Sequence, residues 1–162
     1  MKLRSILKEI IITLVLLFVI SNIISYIRHP ELGSTKLPNI EVELIDGNIF
    51  KHQEGKPLVL HFWATGCPAC KLEAPNIETI SKKYEVLSVL LNSGSDEKIK
   101  VYMKENRLSF RVLNDIDGEW AKKFKIEVYP TTFIYDAKGE LRFTEVGYTT
   151  TAGLLARMEW IE

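Results

Sequence analysis

Polar and apolar positions change rhythm several times along the chain, and each rhythm predicts a different element. Ile10 to Ile27 carries no charged residue. Ile40-Glu41-Val42-Glu43-Leu44 then alternates apolar and charged positions, the pattern of a half-exposed strand. Asp46-Gly47-Asn48 supplies a turn, and Ile49-Phe50 returns as a second strand of a hairpin. Leu58–Trp63 and Val86–Leu91 are nearly continuous apolar runs bounded by turn residues, as in central parallel strands buried on both faces. Between them a helix is predicted from Cys67 to about Tyr84, with Leu72, Ile77, Ile80 and Tyr84 facing inward. Ser95 caps the next helix, where Ile99, Tyr102, Met103 and Asn106 recur at helical spacing. Phe110–Leu113 reads as a short strand ended by Asn114-Asp115, and Asp117 as the cap of a one-to-two-turn helix carrying Trp120 and Phe124 on one face. Thr132–Tyr135, the turn Asp136–Gly139 and Leu141–Val146 predict an antiparallel hairpin. A last helix turns Leu154, Leu155, Met158 and Ile161 inward. The sum is an α/β domain without repeats.

The uncharged N-terminal run has 18 positions, about 27 Å as a helix, enough for a bilayer core. Lys2, Arg4 and Lys8 precede it, so the positive-inside rule keeps the N-terminus cytoplasmic and sends the rest across. A cleaved signal peptide is disfavoured because bulky residues end the segment where a peptidase needs small ones. The expected organisation is a cytoplasmic stub and transmembrane anchor over 1–28 (the span itself about 10–27), a linker over 29–38 and a domain over 39–162. Formal net charge is zero, so nothing points to nucleic acid. Without residues 1–30 the remainder holds 17 basic and 20 acidic residues, a mildly acidic body. Single-pass attachment to the cytoplasmic membrane, with the domain in the periplasm or on the outer face, is the expected location. A monomer is expected.

The chemistry concentrates at Cys67-Pro68-Ala69-Cys70, the only two cysteines of the chain. They follow an apolar strand through Thr65-Gly66 and open a helix. Unpaired N–H groups and the helix dipole favour negative charge there, so Cys67 is expected to be held partly as thiolate, with Cys70 one turn on to close a disulfide with it. A Cys-x-x-Cys after a strand in a βαβ setting reads as a thiol–disulfide exchange centre. No cofactor and no metal are expected. His52 reads as a solvated loop residue, and Lys71 and Glu73 as solvated helix positions.

The stretch Phe62-Trp63-Ala64 leading to the cysteines, with Lys71 and Pro75 after them, resembles the thioredoxin family. The likeness extends over nearly all of the chain to the membrane-tethered branch of that family. It implies a thioredoxin fold with an N-terminal β-hairpin and an inserted helix–strand, behind one N-terminal transmembrane helix. It also implies a redox-active disulfide Cys67–Cys70, with Cys67 as nucleophile and Cys70 resolving, in the reducing direction. Substrate proteins would supply disulfides or thiols, and a membrane redox partner would recycle the cysteine pair. Tyr129-Pro130-Thr131 lies where thioredoxin-like proteins carry a cis-proline opposite the cysteines, which turns the chain so that the backbone of Tyr129 can pair with an extended substrate. Trp63, Tyr129, Pro130 and Thr131 are therefore the candidate substrate-binding residues, with Trp63 as a core ring whose edge comes near the site.

Two positions depart from the family. His61 replaces the buried acid found beneath the second cysteine in many members. Strand alternation puts it on the face of Trp63, where titration near neutral pH would suit it to deprotonating Cys70. A core histidine bonded to a neighbour is the equally weighted alternative. Gly66 stands where a tryptophan usually precedes the first cysteine. Pro68-Ala69 does not disclose the potential, so an oxidase or isomerase of the same fold stays open. So do a copper-binding module, which equilibrium dialysis with Cu(I) would detect, and a noncatalytic docking domain, whose disulfide would resist glutathione.

Overall fold

The computed structural model describes residues 8–13, 15–16, 19–20 and 35–161. The expected anchor and the first part of the expected linker fall largely outside them. The described residues between 8 and 20 are helical, and Ile10, Ile11, Ile12, Val15, Leu16, Val19 and Ile20 among them are exposed. Among the described residues no helix is long and apolar enough to cross a membrane.

Strands β1 (Glu41–Glu43) and β2 (Ile49–Lys51) pair as the expected antiparallel hairpin. Its turn is fixed by Asp46, whose Oδ1 accepts from Asn48 N at 3.0 Å, and by Gly47 at φ +84°, a conformation that favours glycine. The main sheet has five strands: β3 (Leu58–Trp63), β4 (Glu85–Leu91), β5 (Arg111–Asp115), β6 (Thr131–Tyr135) and β7 (Leu141–Val146). Their order is β5-β4-β3-β6-β7. The first three are mutually parallel, whereas β6 and β7 run antiparallel to their neighbours. Every residue of β3 is buried, as its unbroken apolar run requires.

The two faces of the sheet have separate cores. Val59, Trp63, Val86, Leu90, Val112 and Ile134 point to one, which is covered by α1 (Pro68–Ser81), α2 (Asp96–Glu105) and α4 (Thr151–Ile161). Leu58, Leu60, Phe62, Leu87 and Phe133 point to the other, against the hairpin residues Ile40, Leu44 and Phe50 and against Phe124 after α3 (Glu119–Lys123). This is the expected thioredoxin fold, with β1–β2 leading and α2–β5 inserted.

Several expectations are corrected. Helix α1 ends at Ser81, not Tyr84. Its buried face is Cys70, Glu73, Ala74, Ile77 and Ile80, and Leu72 is out of phase with that series and 71% exposed. On α4, Leu154 and Met158 are buried, whereas Leu155 and Ile161 are only partly so. His52 is not a free loop residue: its Nδ1 lies 2.6 Å from Glu85 Oε2, and both side chains are largely shielded. The cap of α3 is not Asp117. Asp115 Oδ1 accepts from Trp120 N at 3.1 Å and Oδ2 from Ala121 N at 2.8 Å. Strand β5 thus continues through Asp115, whose carboxylate organises the short helix. Asp115→Ala is expected to lower stability by about 1–2 kcal/mol, read as a shift of the urea midpoint at unchanged m-value.

Residues 35–37 are bound to the domain. Leu37 N donates to Gly139 O and Leu141 N to Thr35 O, each at 2.8 Å. The chain therefore joins the domain at the β6–β7 turn.

Candidate active site

At the end of β3 the chain turns through Ala64, Thr65 and Gly66. Cys67 N donates to Ala64 O at 3.2 Å, and Thr65 N is held by Ser93 Oγ at 3.0 Å. Cys67 is the N-cap of α1, with extended backbone at φ −87° and ψ 119°, and Pro68 takes the first helical position, where its missing N–H costs nothing. Both cysteines are free thiols. Cys67 is half-buried and Cys70 fully buried. The Cys70 amide donates to Cys67 Sγ at 3.2 Å, so charge gathering on that sulfur meets a backbone donor.

Across from Cys67 the Tyr129–Pro130 peptide bond is cis. Cys67 Sγ donates to Tyr129 O at 3.7 Å, and Gly147 N to Pro130 O at 2.8 Å. Half-buried Tyr129 therefore borders the sulfur. Pro130 is buried and fixes the loop. Trp63 and Thr131 do not fit the expected substrate-binding role through their side chains. Trp63 is 0% exposed, with Nε1 donating to Ser88 Oγ and its ring against Tyr102 and Phe110. The Thr131 hydroxyl is buried and donates to Val128 O.

The proton chemistry lies deeper. Burial, aided by the hydrogen bond with Cys67, pushes the Cys70 thiol up to about 12. At neutral pH Cys70 is therefore held as the protonated thiol. His61 shares the sheet face of Trp63 as expected, their rings stacked with centroids 6.4 Å apart. Its Nδ1 meets Thr132 Oγ1 at 2.9 Å, the core histidine bonded to a neighbour. Complete burial lowers its pKa to about 3, which corrects the expected titration near neutral pH.

Glu73 is the residue that the sequence reading missed. It is 0% exposed, one turn beyond Cys70 on α1. Its Oε1 accepts from Thr149 N at 2.9 Å, and its Oε2 has no partner among the described residues. Desolvation raises its pKa to about 8, with the nearby charge of Glu145 adding to the rise and the Thr149 amide opposing it. Glu73 in turn contributes to the raised Cys70. A buried carboxyl electrostatically coupled to a buried thiol is suited to exchanging a proton with it. The available signal was periodicity: Glu73 falls in register with Cys70, Ala74, Ile77 and Ile80.

A half-buried sulfur at a helix start and a buried second thiol one turn on form a cysteine pair of the dithiol-exchange kind, with the buried Glu73 one further turn along the helix. Residues 34–144 match the AhpC/TSA family. The chain belongs to that family. It is 31% identical over 166 residues to a thioredoxin-like protein of Haemophilus influenzae, covering 100% of this chain and 98% of the relative. Identity to sporulation thiol–disulfide oxidoreductase A of Bacillus subtilis is 33% over 116 residues, 67% of this chain and 68% of that one. The crystal structure of StoA from Bacillus subtilis superposes with a TM-score of 0.67 at 27% identity, over 80% of this chain and 100% of that chain. The chain is thus a thioredoxin-like thiol–disulfide oxidoreductase with Cys67 and Cys70 as its cysteine pair. Among the described residues no three His, Cys, Asp or Glu side chains gather as metal ligands would.

Proposed function

We propose that the enzyme reduces disulfides of extracytoplasmic proteins, with Cys67 as nucleophile, Cys70 as resolving thiol and Glu73 as the base for Cys70. The observation that carries this is the asymmetry of the pair: one sulfur reachable beside Tyr129 O, the other buried, with its pKa pushed up to about 12. Cys67 thiolate attacks one sulfur of the partner disulfide. The Cys67–partner bond forms, and the partner's other sulfur leaves as a thiolate that takes a proton from solvent. Glu73, which ionises as pH approaches about 8, then accepts the Cys70 proton in its carboxylate form, and Cys70 sulfur attacks Cys67 Sγ. The mixed disulfide breaks and the second partner thiolate is released. Two electrons pass to the partner, and the enzyme is left as the Cys67–Cys70 disulfide.

Residues 10–27 anchor the protein in the cytoplasmic membrane, with the domain on the outer face and a membrane redox partner restoring the dithiol. The uncharged run, its basic N-terminal flank and the exposed apolar helical residues support this reading. Within the tethered branch the chain resembles suppressor of copper sensitivity protein D. The likeness rests on the anchor, Trp63-Ala64-Thr65, Ser93-Gly94-Ser95-Asp96, Val112-Leu113-Asn114-Asp115, Pro130-Thr131, Gly147-Tyr148-Thr149 and Trp160. It suggests a role in copper tolerance through thiol chemistry rather than metal contact. The test is a redox titration of the full-length protein in detergent. A potential between about −270 and −200 mV is expected of a reductant. One near about −120 mV would make the protein an oxidase instead.

A further inference from the structure

The end of the domain away from Cys67 gathers cations. There Leu58 begins β3, Glu85 begins β4 beside it, and Arg111 begins β5. Two open cavities flank these strand starts. One, of about 520 Å³, is walled by Lys56, Lys82, Lys83 and Arg111, with Glu85 among them. The other, of about 730 Å³, is walled by Lys36, Lys51 and Lys138, with His52 and Glu54. The 2.6 Å contact between His52 and Glu85 joins the two walls. All seven cations are exposed, in a body that carries 17 basic and 20 acidic residues beyond position 30. Basic charge is therefore concentrated at this end rather than spread.

The carboxylates nearby do not use it up. Glu85 is engaged by His52 and stands 4.0 Å from Arg111. Glu78, 3.6 Å from Lys82, is engaged by the amide and hydroxyl of Ser109. Lys36–Glu140, Lys51–Glu41 and Lys83–Glu159 are exposed pairs, a kind that contributes little. Lys56 and Lys138 form no ion pair among the described residues.

An indole stands at the same end. Trp160 is 79% exposed, and its neighbour Glu159 reaches Lys83 at 3.6 Å. Helix α4 gives Leu154 and Met158 to the core and leaves this ring outside it. Exposed tryptophan beside lysine and arginine is the combination that sits at headgroup level, the ring in the interface and the cations on phosphates. The chain also enters the domain here, through Thr35 and Leu37, and only residues 28–34 separate it from the proposed anchor.

We propose that this end of the domain docks on an anionic bilayer, with Lys56, Lys82, Lys138 and Arg111 on lipid phosphates and Trp160 among the headgroups. The inference rests on the proposed anchor, which brings lipid within reach. It adds the class of surface taken, negatively charged phospholipid, and leaves Cys67 on the side away from it.

The test reconstitutes full-length protein in vesicles of brominated phosphatidylcholine, alone or mixed with phosphatidylglycerol, and reads tryptophan quenching by the bromines. The other two tryptophans lie elsewhere, Trp63 in the core and Trp120 beyond the far end of β5. Quenching is expected in the mixed vesicles and not in the neutral ones, and Trp160→Phe loses the difference. Lys56→Gln and Lys82→Gln each lower the docked-to-free ratio about fivefold. Added sodium chloride undocks wild type by screening. Both variants, once reduced, react with 5,5′-dithiobis(2-nitrobenzoic acid) at the wild-type rate. Equal quenching in the two vesicles, or quenching indifferent to salt and to both substitutions, overturns the proposal. If the substitutions instead dissolve a dimer of the detergent-solubilised protein while quenching stays at the neutral-vesicle level, the surface belongs to a second copy and the lipid reading fails. Flotation on a density gradient separates these failures from that of the anchor. Protein that floats with neutral vesicles is anchored whatever its quenching, and protein that floats with neither kind overturns anchor and docking together.

Discussion

Cys67→Ser is expected to lower disulfide reduction by about 10³-fold or more, because a serine hydroxyl at neutral pH offers no anionic nucleophile. Cys70→Ser should behave differently. The first attack persists, but nothing behind Cys67 can resolve the product, so a one-to-one adduct with the substrate accumulates. Mass spectrometry of the non-reduced protein reads this directly as the enzyme mass plus one substrate. The asymmetry of the pair dictates the contrast, since only Cys67 is reachable from outside. Adduct at Cys70 in the Cys67→Ser variant, at a rate comparable with wild-type attack, would reverse the assigned roles.

The second large effect is on stability against pH. Glu73 ionises near 4.5 in an unfolded chain and near about 8 in the folded one. Between those values the folded state binds more protons, so stability falls as pH rises. At ~1.4 kcal/mol per unit the loss is on the order of 4–5 kcal/mol once pH passes about 8. His61 acts in the opposite sense. It charges near 6.5 when unfolded but only near about 3 when folded, so stability falls as pH drops through that window. The two slopes offset each other between about 4.5 and 6.5, giving a plateau with declines on both sides. Urea titrations from pH 3 to 9 are expected to show it. Glu73→Gln removes the alkaline decline and His61→Asn the acidic one. An alkaline decline of unchanged size in Glu73→Gln would disprove the raised carboxyl.

The strands were legible because β3 and β4 lie at the centre of the sheet, and burial on both faces leaves an apolar run that few other structures produce. The cysteines were legible because strand, turn and helix start are all local. What escaped depends on residues distant in sequence. Glu73 reads as a solvated position beside Lys71, until the amide of Thr149, 76 residues later, arrives to bind it. His52 finds Glu85 across 33 residues. His61 was placed on the right face by alternation, but its depressed pKa comes from complete burial between β4 and β6, which the local pattern does not disclose. Leu72 misled because it was phased with Ile77 and Ile80, whereas small Cys70 and Ala74 mark the true inner line.

The docking of Thr35 and Leu37 at the β6–β7 turn has a geometric consequence. That turn follows Tyr135, which pairs with Leu58 at the foot of β3, while the reactive sulfur follows Trp63 at its head. Six strand residues at ~3.3 Å each separate the two poles by about 20 Å. With the anchor proposed for residues 10–27, the molecule is leashed by its base and works from its crown. The leash, residues 28–34, stretches to at most about 25 Å. On that proposed arrangement an upright domain would offer its thiol to passing proteins, and the proposed recycling partner, were it flush with the lipid, would be met only when the domain topples toward it.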